Sequence, residues 1–336
     1  EWKGQQWQRI YGYKGDTQYS YESVYEEARR YAEDRVNGVG GITNTSVGDP
    51  DIEYTDKETI LGPYRIKKTG SAKVTGVTIE TATTTYTTSN IAILDSSKNA
   101  IGMDKIANDT DFYIKIRDIA DDIKSIKLTG TGNSVHATRI MLFAGGENQR
   151  IAVFNTQDVP GSTELTLKVP PAEPVIVKYK YIKSIQRKQK DGSYTRIFTV
   201  NEVPTITVNN KGKNNASVKS VTYPDYKKYC DASELNSNGV PYVYNGDIVE
   251  YQWVIYNIGP GSSSPGTKVS LVDEPGTGLK IQDGKSNGWT KSGNKYTKTI
   301  TLSSSLKGFK GSQAMQYYRG SNTMIYFEIA ASDKIN

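Results

Sequence analysis

The chain holds a single histidine, His136, and a single cysteine, Cys230, so the side-chain chemistry open to it is narrow. Zinc and copper sites usually draw several ligands from these two types, and one of each does not assemble such a set. A Ser-His-Asp or Cys-His hydrolase would have to be built on His136 alone. His136 sits between Val135 and Ala137 with no companion ligand and reads as a structural or surface histidine. The pair Gly145-Gly146 lacks the strand, Gly-rich loop and helix that cradle a phosphate, and reads as a hairpin turn. Asp49, Asp51, Glu53, Asp56 and Glu58 offer oxygen ligands, but without an EF-hand register they read as a solvated loop. No closely spaced carboxylate pair stands in an active-site context. The expectation is a protein that is not an enzyme and has no cofactor and no metal.

Two further segments carry reactive or charged groups. Cys230 follows Lys227 and Lys228, which would lower its pKa if they lay close. An odd cysteine in a secreted protein points to intermolecular pairing or a free thiol, so Cys230 is the candidate intermolecular cross-link. The basic stretch from Lys183 to Lys190 offers contact with an anionic polymer, but a lysine-blunted edge strand is the commoner use of such a pattern.

The elements that must position these groups follow from pattern. Tyr21, Val24, Tyr25, Ala28, Tyr31, Ala32 and Val36 recur with helical period, which predicts one amphipathic helix near residues 20–37, capped by Ser20 and stopped at Gly38. Short strands separated by turn residues follow: Tyr64–Lys68, Val74–Thr81, Ile91–Asp95, Phe112–Ile116, Ile123–Thr129, Thr138–Ala144 and Leu165–Val169. Pro170-Pro171-Ala172-Glu173-Pro174 interrupts pairing and is the best domain boundary, expected as an exposed hinge. Beyond it the strands are Val175–Ile182, Tyr194–Val200, Thr205–Val208, Ile248–Asn257, Lys268–Val272, Tyr296–Leu302 and Met324–Ala330, with an ordered loop over Tyr223–Gly239. The reading is mainly β: two tandem β-sandwich domains, residues 1–170 with the helix and residues 171–336 of immunoglobulin-like type.

Composition agrees with that reading. At 336 residues, 36% hydrophobic and 23% charged, the chain suits about two globular domains. No apolar run approaches the ~20 residues of a membrane helix, so no membrane insertion is expected. With one cysteine there is no intramolecular disulfide, and mechanical reinforcement has to come from other chemistry. The net charge of +6 suits anionic walls or polymers, although the basic residues are spread out and no nucleic-acid partner is expected. Few cysteines with many Thr, Asn, Gly and Tyr is a composition associated with secreted proteins of Gram-positive bacteria. A start at Glu1 without Met or signal peptide suggests a processed chain or a fragment.

The second half carries a resemblance. Asn245-Gly-Asp-Ile-Val-Glu-Tyr-Gln-Trp-Val-Ile-Tyr-Asn-Ile-Gly259, then Val269-Ser-Leu-Val-Asp-Glu-Pro-Gly-Thr-Gly-Leu279, resembles an immunoglobulin-like repeat domain of Gram-positive, clostridial-type bacterial surface proteins, as in adhesins and appendage proteins. Asn287-Gly-Trp289, the Tyr296–Leu302 strand, Val175–Ile182 and Val203-Pro204 are similar to further parts of that module, so the likeness covers about half the chain. Leu61-Gly62-Pro63-Tyr64-Arg65-Ile66 and Gly146–Ala152 look like the N-terminal modules of the same proteins. A Cys–Gln thioester, held by some related adhesin domains, is not supported, because the only cysteine lies outside the first half.

The resemblance implies an extracellular structural or adhesive protein of a bacterial cell surface, or alternatively a subunit of a self-assembling fibre, pilus or spore appendage. Its partners would be other copies of itself or a host or surface polymer. The family includes modules with an autocatalytic Lys–Asn isopeptide bond beside a buried acid. Carried over by motif, the intramolecular candidates are Lys180 in Tyr179-Lys-Tyr-Ile182, Asp273 in Leu271-Val-Asp-Glu-Pro275, and Asn336. That chemistry asks for an apolar pocket that keeps the amine neutral and a protonated acid that polarises the amide, with walls expected from Tyr179, Tyr181 and Val272. Lys178 and Lys180 fall on the same side of a period-two strand.

Overall fold

The computed structural model describes residues 11–14, 17–20, 41–69, 72–119, 121–131, 139–143, 150–155 and 162–330. The expected helix near residues 20–37, His136, Gly145-Gly146 and Asn336 lie outside the described residues. What is described is mainly β, in antiparallel sheets with short 3-10 turns between strands. Two compact units divide it. One comprises residues 1–51, 60–117 and 123–170; the other comprises 52–59, 118–122 and 171–336.

In the first unit, Ala100–Ile101, Ile91–Leu94, Phe112–Arg117 and Glu58–Tyr64 lie side by side in that order, and Ser162–Leu167, Ile123–Thr131, Lys73–Thr81 and Thr85–Tyr86 form a second sheet. Alternation drives the burial: Phe112, Ile114 and Ile116 are inside while Tyr113 and Lys115 are not, and Ile126 and Leu128 repeat the pattern. Gly62 fits its motif because a Cβ there would stand 2.9 Å from the Tyr113 ring and 3.0 Å from the Phe112 carbonyl, at a φ of +133°. Expected starts and ends shift by a few residues, and the run from Asp51 to Glu58 is no loop. It contains the strand Asp51–Tyr54 and the start of Glu58–Tyr64, with Ile52 and Thr59 buried between exposed or half-buried neighbours.

The strands of the second unit's main segment are β1 Ile176–Lys188, β2 Tyr194–Thr199, β3 Thr205–Asn209, β4 Ser217–Thr222, β5 Ile248–Asn257, β6 Lys268–Asp273, β7 Leu279–Ile281, β8 Thr290–Ser292, β9 Lys295–Thr301, β10 Tyr317–Tyr318 and β11 Met324–Ile329. One sheet has the order β2-β1-β5-β11-β7, with β10 also on β5; a second is β6-β9-β8; β3 and β4 form a hairpin. The central strand β5 does not alternate, and nearly every residue in it is buried. The reason is that both its faces are covered. Ile255, Val269, Leu271, Ile300, Leu302 and Leu306 form the core toward the β6-β9-β8 sheet. Val254, Tyr256, Tyr181, Ile185, Phe198 and Tyr226 form another, against which Ile206, Val208 and Val218 of the β3–β4 hairpin pack. The Tyr223–Gly239 stretch is ordered, with 3-10 turns at Tyr226–Lys228 and Ala232–Glu234.

The proline segment departs from expectation at one residue: Pro170 is buried, while Pro171, Glu173 and Pro174 are exposed, and the two compact units part between Pro170 and Pro171. Glu173 N donates to Asn214 Oδ1 at 2.8 Å, Asn214 Nδ2 to the Pro171 carbonyl at 3.0 Å, and Gly261 N to the Glu173 carbonyl at 3.1 Å. Prolines remove donors but leave carbonyls, and that of Pro171 finds a partner. The basic stretch is no blunted edge. It continues β1 between β2 and β5, and Arg187 is held by Glu234 at 2.8 Å and Asp247 at 3.2 Å.

Candidate functional site

Lys180 lies on β1 directly opposite Trp253 of β5, and Lys178 lies opposite Ile255. Both lysines therefore share the face that looks toward β6. On β6 the inward positions are Val269, Leu271 and Asp273, so the strand's own period carries a carboxylate into the third buried place. The two strands meet through these side chains. Lys178 Nζ donates to the Ser270 carbonyl at 2.6 Å. Lys180 Nζ lies 3.0 Å from Asp273 Oδ1 and 2.8 Å from Oδ2.

The pair is asymmetric in exposure. The Asp273 side chain is 0% exposed and that of Lys180 is 28% exposed. Asp273 Oδ1 accepts the amine's hydrogen bond; Oδ2, although near, is out of line for one and has no hydrogen-bond partner. Trp253 Nε1, on the strand opposite Lys180, is also buried without a partner. An aromatic ring completes the surroundings: Lys180 Nζ sits 4.7 Å from the centre of the Tyr251 ring. Tyr251 packs edge-on against Phe327, with centroids 6.0 Å apart. Burial, and then the Asp273 charge, push the Tyr251 phenol up to about 12.

The expected walls are corrected by parity. Tyr179 and Tyr181 flank Lys180 in sequence and so point to the opposite face, where they pack in the other core. Val272 is 39% exposed for the same reason. Tyr251 and Trp253 take that place, and naming them requires the β1–β5 register, a long-range fact that no local motif carries. Cys230 departs from expectation too. Burial, then Glu234 and Asp231, push its thiol up, so the preceding lysines do not activate it. Its Sγ donates to the Tyr226 carbonyl at 3.5 Å.

Two other polar side chains went unread in the sequence. Asn257, fully buried, accepts from Val175 N and Gly259 N at 3.1 Å each and donates to the carbonyls of Gly261, Leu306 and Lys307. This explains the Asn-x-Gly end of β5: one carboxamide closes three chain segments together. Lys310, wholly buried, donates to Asp122 Oδ1 at 2.6 Å beside the Tyr54 ring. Among the described residues no group of three or more His, Cys, Asp or Glu side chains is placed to hold a metal ion, and no helix is long and apolar enough to cross a membrane.

Comparison with known proteins gives no match to any family model, any curated protein or any solved structure.

Proposed function

We propose that the chain is a structural, adhesive component of a bacterial cell surface whose second unit is reinforced by an amide bond between Lys180 and Asn336. The observation that carries this reading is a lysine amine within 3.0 Å of a carboxyl group wholly removed from water. The bond needs a neutral amine beside a neutral acid, and one proton passed from Lys180 to Asp273 along their hydrogen bond makes that pair. The neutral Nζ attacks Cγ of Asn336, and the protonated Asp273 donates a hydrogen bond to the amide oxygen as charge develops there. The Cγ–N bond of the carboxamide then breaks. Its nitrogen takes the second proton lost by Nζ and leaves as ammonia, and Asp273 keeps the proton it received from Lys180. The Tyr251 ring lies 4.7 Å from the amine, and Tyr251 stays protonated throughout.

The reading assigns the chain a mechanical role, with no reaction on an outside substrate. Contacts with other copies or with a surface polymer belong to it as partners. Peptide mapping by tandem mass spectrometry tests the bond. A branched fragment joining the Lys180 peptide to the Asn336 peptide is expected. Recovery of both peptides only as linear species would overturn the proposal.

A further inference from the structure

Three Asn-Gly pairs stand among the described residues: Asn238-Gly239, Asn245-Gly246 and Asn287-Gly288. Such a pair can react with itself, because the glycine nitrogen closes a small ring on the asparagine side-chain carbon and no Cβ obstructs the approach. The reaction needs that nitrogen free, and the fold treats the pairs differently. Gly239 N is committed to the Asn236 carbonyl at 2.9 Å and Gly246 N to the Ile329 carbonyl at 2.8 Å. Gly288 N donates a hydrogen bond to none of the described residues. Asn287 and Gly288 are both exposed, so solvent reaches the turn they form.

The same turn carries a cation on the reacting peptide bond. Asn287 and Gly288 lie in the connection between β7 and β8, and Lys298 of β9 donates from Nζ to the Asn287 carbonyl oxygen at 2.6 Å. That carbonyl belongs to the same amide as Gly288 N. When this nitrogen gives up its proton, negative charge spreads onto the carbonyl oxygen, and an ammonium already bonded there stabilises it. Glycine makes room for the contact: at the Gly288 φ of +81° a Cβ would stand 3.1 Å from Lys298 Cε. Among the described residues no lysine or arginine donates to the carbonyl of Asn238 or Asn245.

We propose that Asn287 is a self-modifying residue, converted through a cyclic imide to aspartate and isoaspartate, and that Lys298 promotes the conversion. Water acting as base takes the Gly288 N–H proton. The nitrogen attacks Cγ of Asn287, the Cγ–N bond of the carboxamide breaks, and its nitrogen takes up one proton and leaves as ammonia. One water molecule then adds to either carbonyl of the ring and opens it. Opening at the side-chain carbonyl gives aspartate; opening at the main-chain carbonyl routes the backbone through the side chain and adds a methylene to it. Water replaces the lost ammonia, so the product does not carry the mass deficit of the Lys180 cross-link. The flanks keep the change local, since Ser286 Oγ donates to the Tyr326 carbonyl at 3.3 Å and Trp289 Nε1 to the Met324 carbonyl at 2.8 Å. The outcome is a new negative charge beside Lys298 on an exposed turn.

Peptide mapping of the folded chain, incubated at neutral pH and sampled over time, tests this. Asn287 should convert at least about tenfold faster than Asn238 and Asn245, whose glycine nitrogens must first give up a hydrogen bond. In urea, where the fold no longer distinguishes them, the three pairs should convert at like rates. Lys298→Met should slow Asn287 by about three- to tenfold and Lys298→Arg should restore it, with Asn238 and Asn245 unmoved in both. Equal rates at the three pairs in the folded chain, a preference for Asn287 that persists in urea, or an Asn287 rate unchanged in Lys298→Met would each overturn the proposal. The urea comparison needs no variant, so a Lys298→Met chain that fails to fold leaves the proposal open to refutation.

Discussion

At the scale of single residues, the decisive contact is one amine against one buried carboxylate. In an Asn336→Ala background, where no cross-link consumes the pair, removing Lys180 leaves the Asp273 charge without its counter-ion in a place water does not reach. Breaking a buried pair costs about 3–5 kcal/mol, and the partial exposure of Lys180 brings the expectation for Lys180→Met down to about 2 kcal/mol. Urea denaturation measures this, and the double variant Lys180→Met with Asp273→Leu should recover part of the loss. No recovery in the double variant would mean that the charge is not what costs stability. How this site was read divides cleanly by mechanism. Lys180 and Asp273 stand in motifs, so the sequence resemblance named them. Tyr251 and Trp253 do not, because what places them is a strand register spanning over seventy positions of chain, while the tyrosines flanking Lys180 were turned away by the two-residue period.

At the scale of elements, the second unit depends on the junction where residues 171–175, the end of β5 and the loop from Leu306 to Gly308 come together. Asn257 bonds to all three, and Asn257→Ala would leave several buried backbone groups unpaired, at a cost of about 3 kcal/mol. Space is as tight as the bonding. A Cβ on Gly261 would stand 2.2 Å from the Ala172 carbonyl oxygen and one on Gly308 1.9 Å from that of Pro260. Gly261→Ala and Gly308→Ala should each lower the denaturation midpoint clearly, whereas Gly276→Ala, which faces open space, should not; equal effects in all three would contradict the packing. Most strands were legible because their alternation or β-branched content is local. Ser217–Thr222 was not. Val218 and Val221 are three apart, because the pairing with Thr207 and Val208 skips Lys219 and so breaks the two-residue period. The prolines of 170–174 were legible too, since a run that pairs with no strand marks where the two compact units part, and Pro171, Glu173 and Pro174 are exposed.

At the scale of the whole molecule, the many tyrosines make alkaline pH a probe of packing. Burial first, with nearby carboxylates or phenols in several cases, raises Tyr54, Tyr64, Tyr226, Tyr251 and Tyr256 above the ordinary value of 10.0. Above pH 10 the unfolded chain loses these protons while the folded chain keeps them. The stabilisation they contribute is thus complete below pH 10 and declines as pH rises toward the folded values. Tyrosinate absorbance should therefore lag in the native protein relative to the protein in denaturant; superimposed titrations would contradict the burial of these rings.

The central claim is a covalent one, and intact-mass measurement of the purified chain tests it most directly. Bond formation between Lys180 and Asn336 expels ammonia, so the account predicts a deficit of about 17 Da that is absent from Asp273→Ala, in which no acid polarises the amide. A parent chain at the full mass of its sequence would contradict the account, as would an Asp273→Ala chain that keeps the deficit.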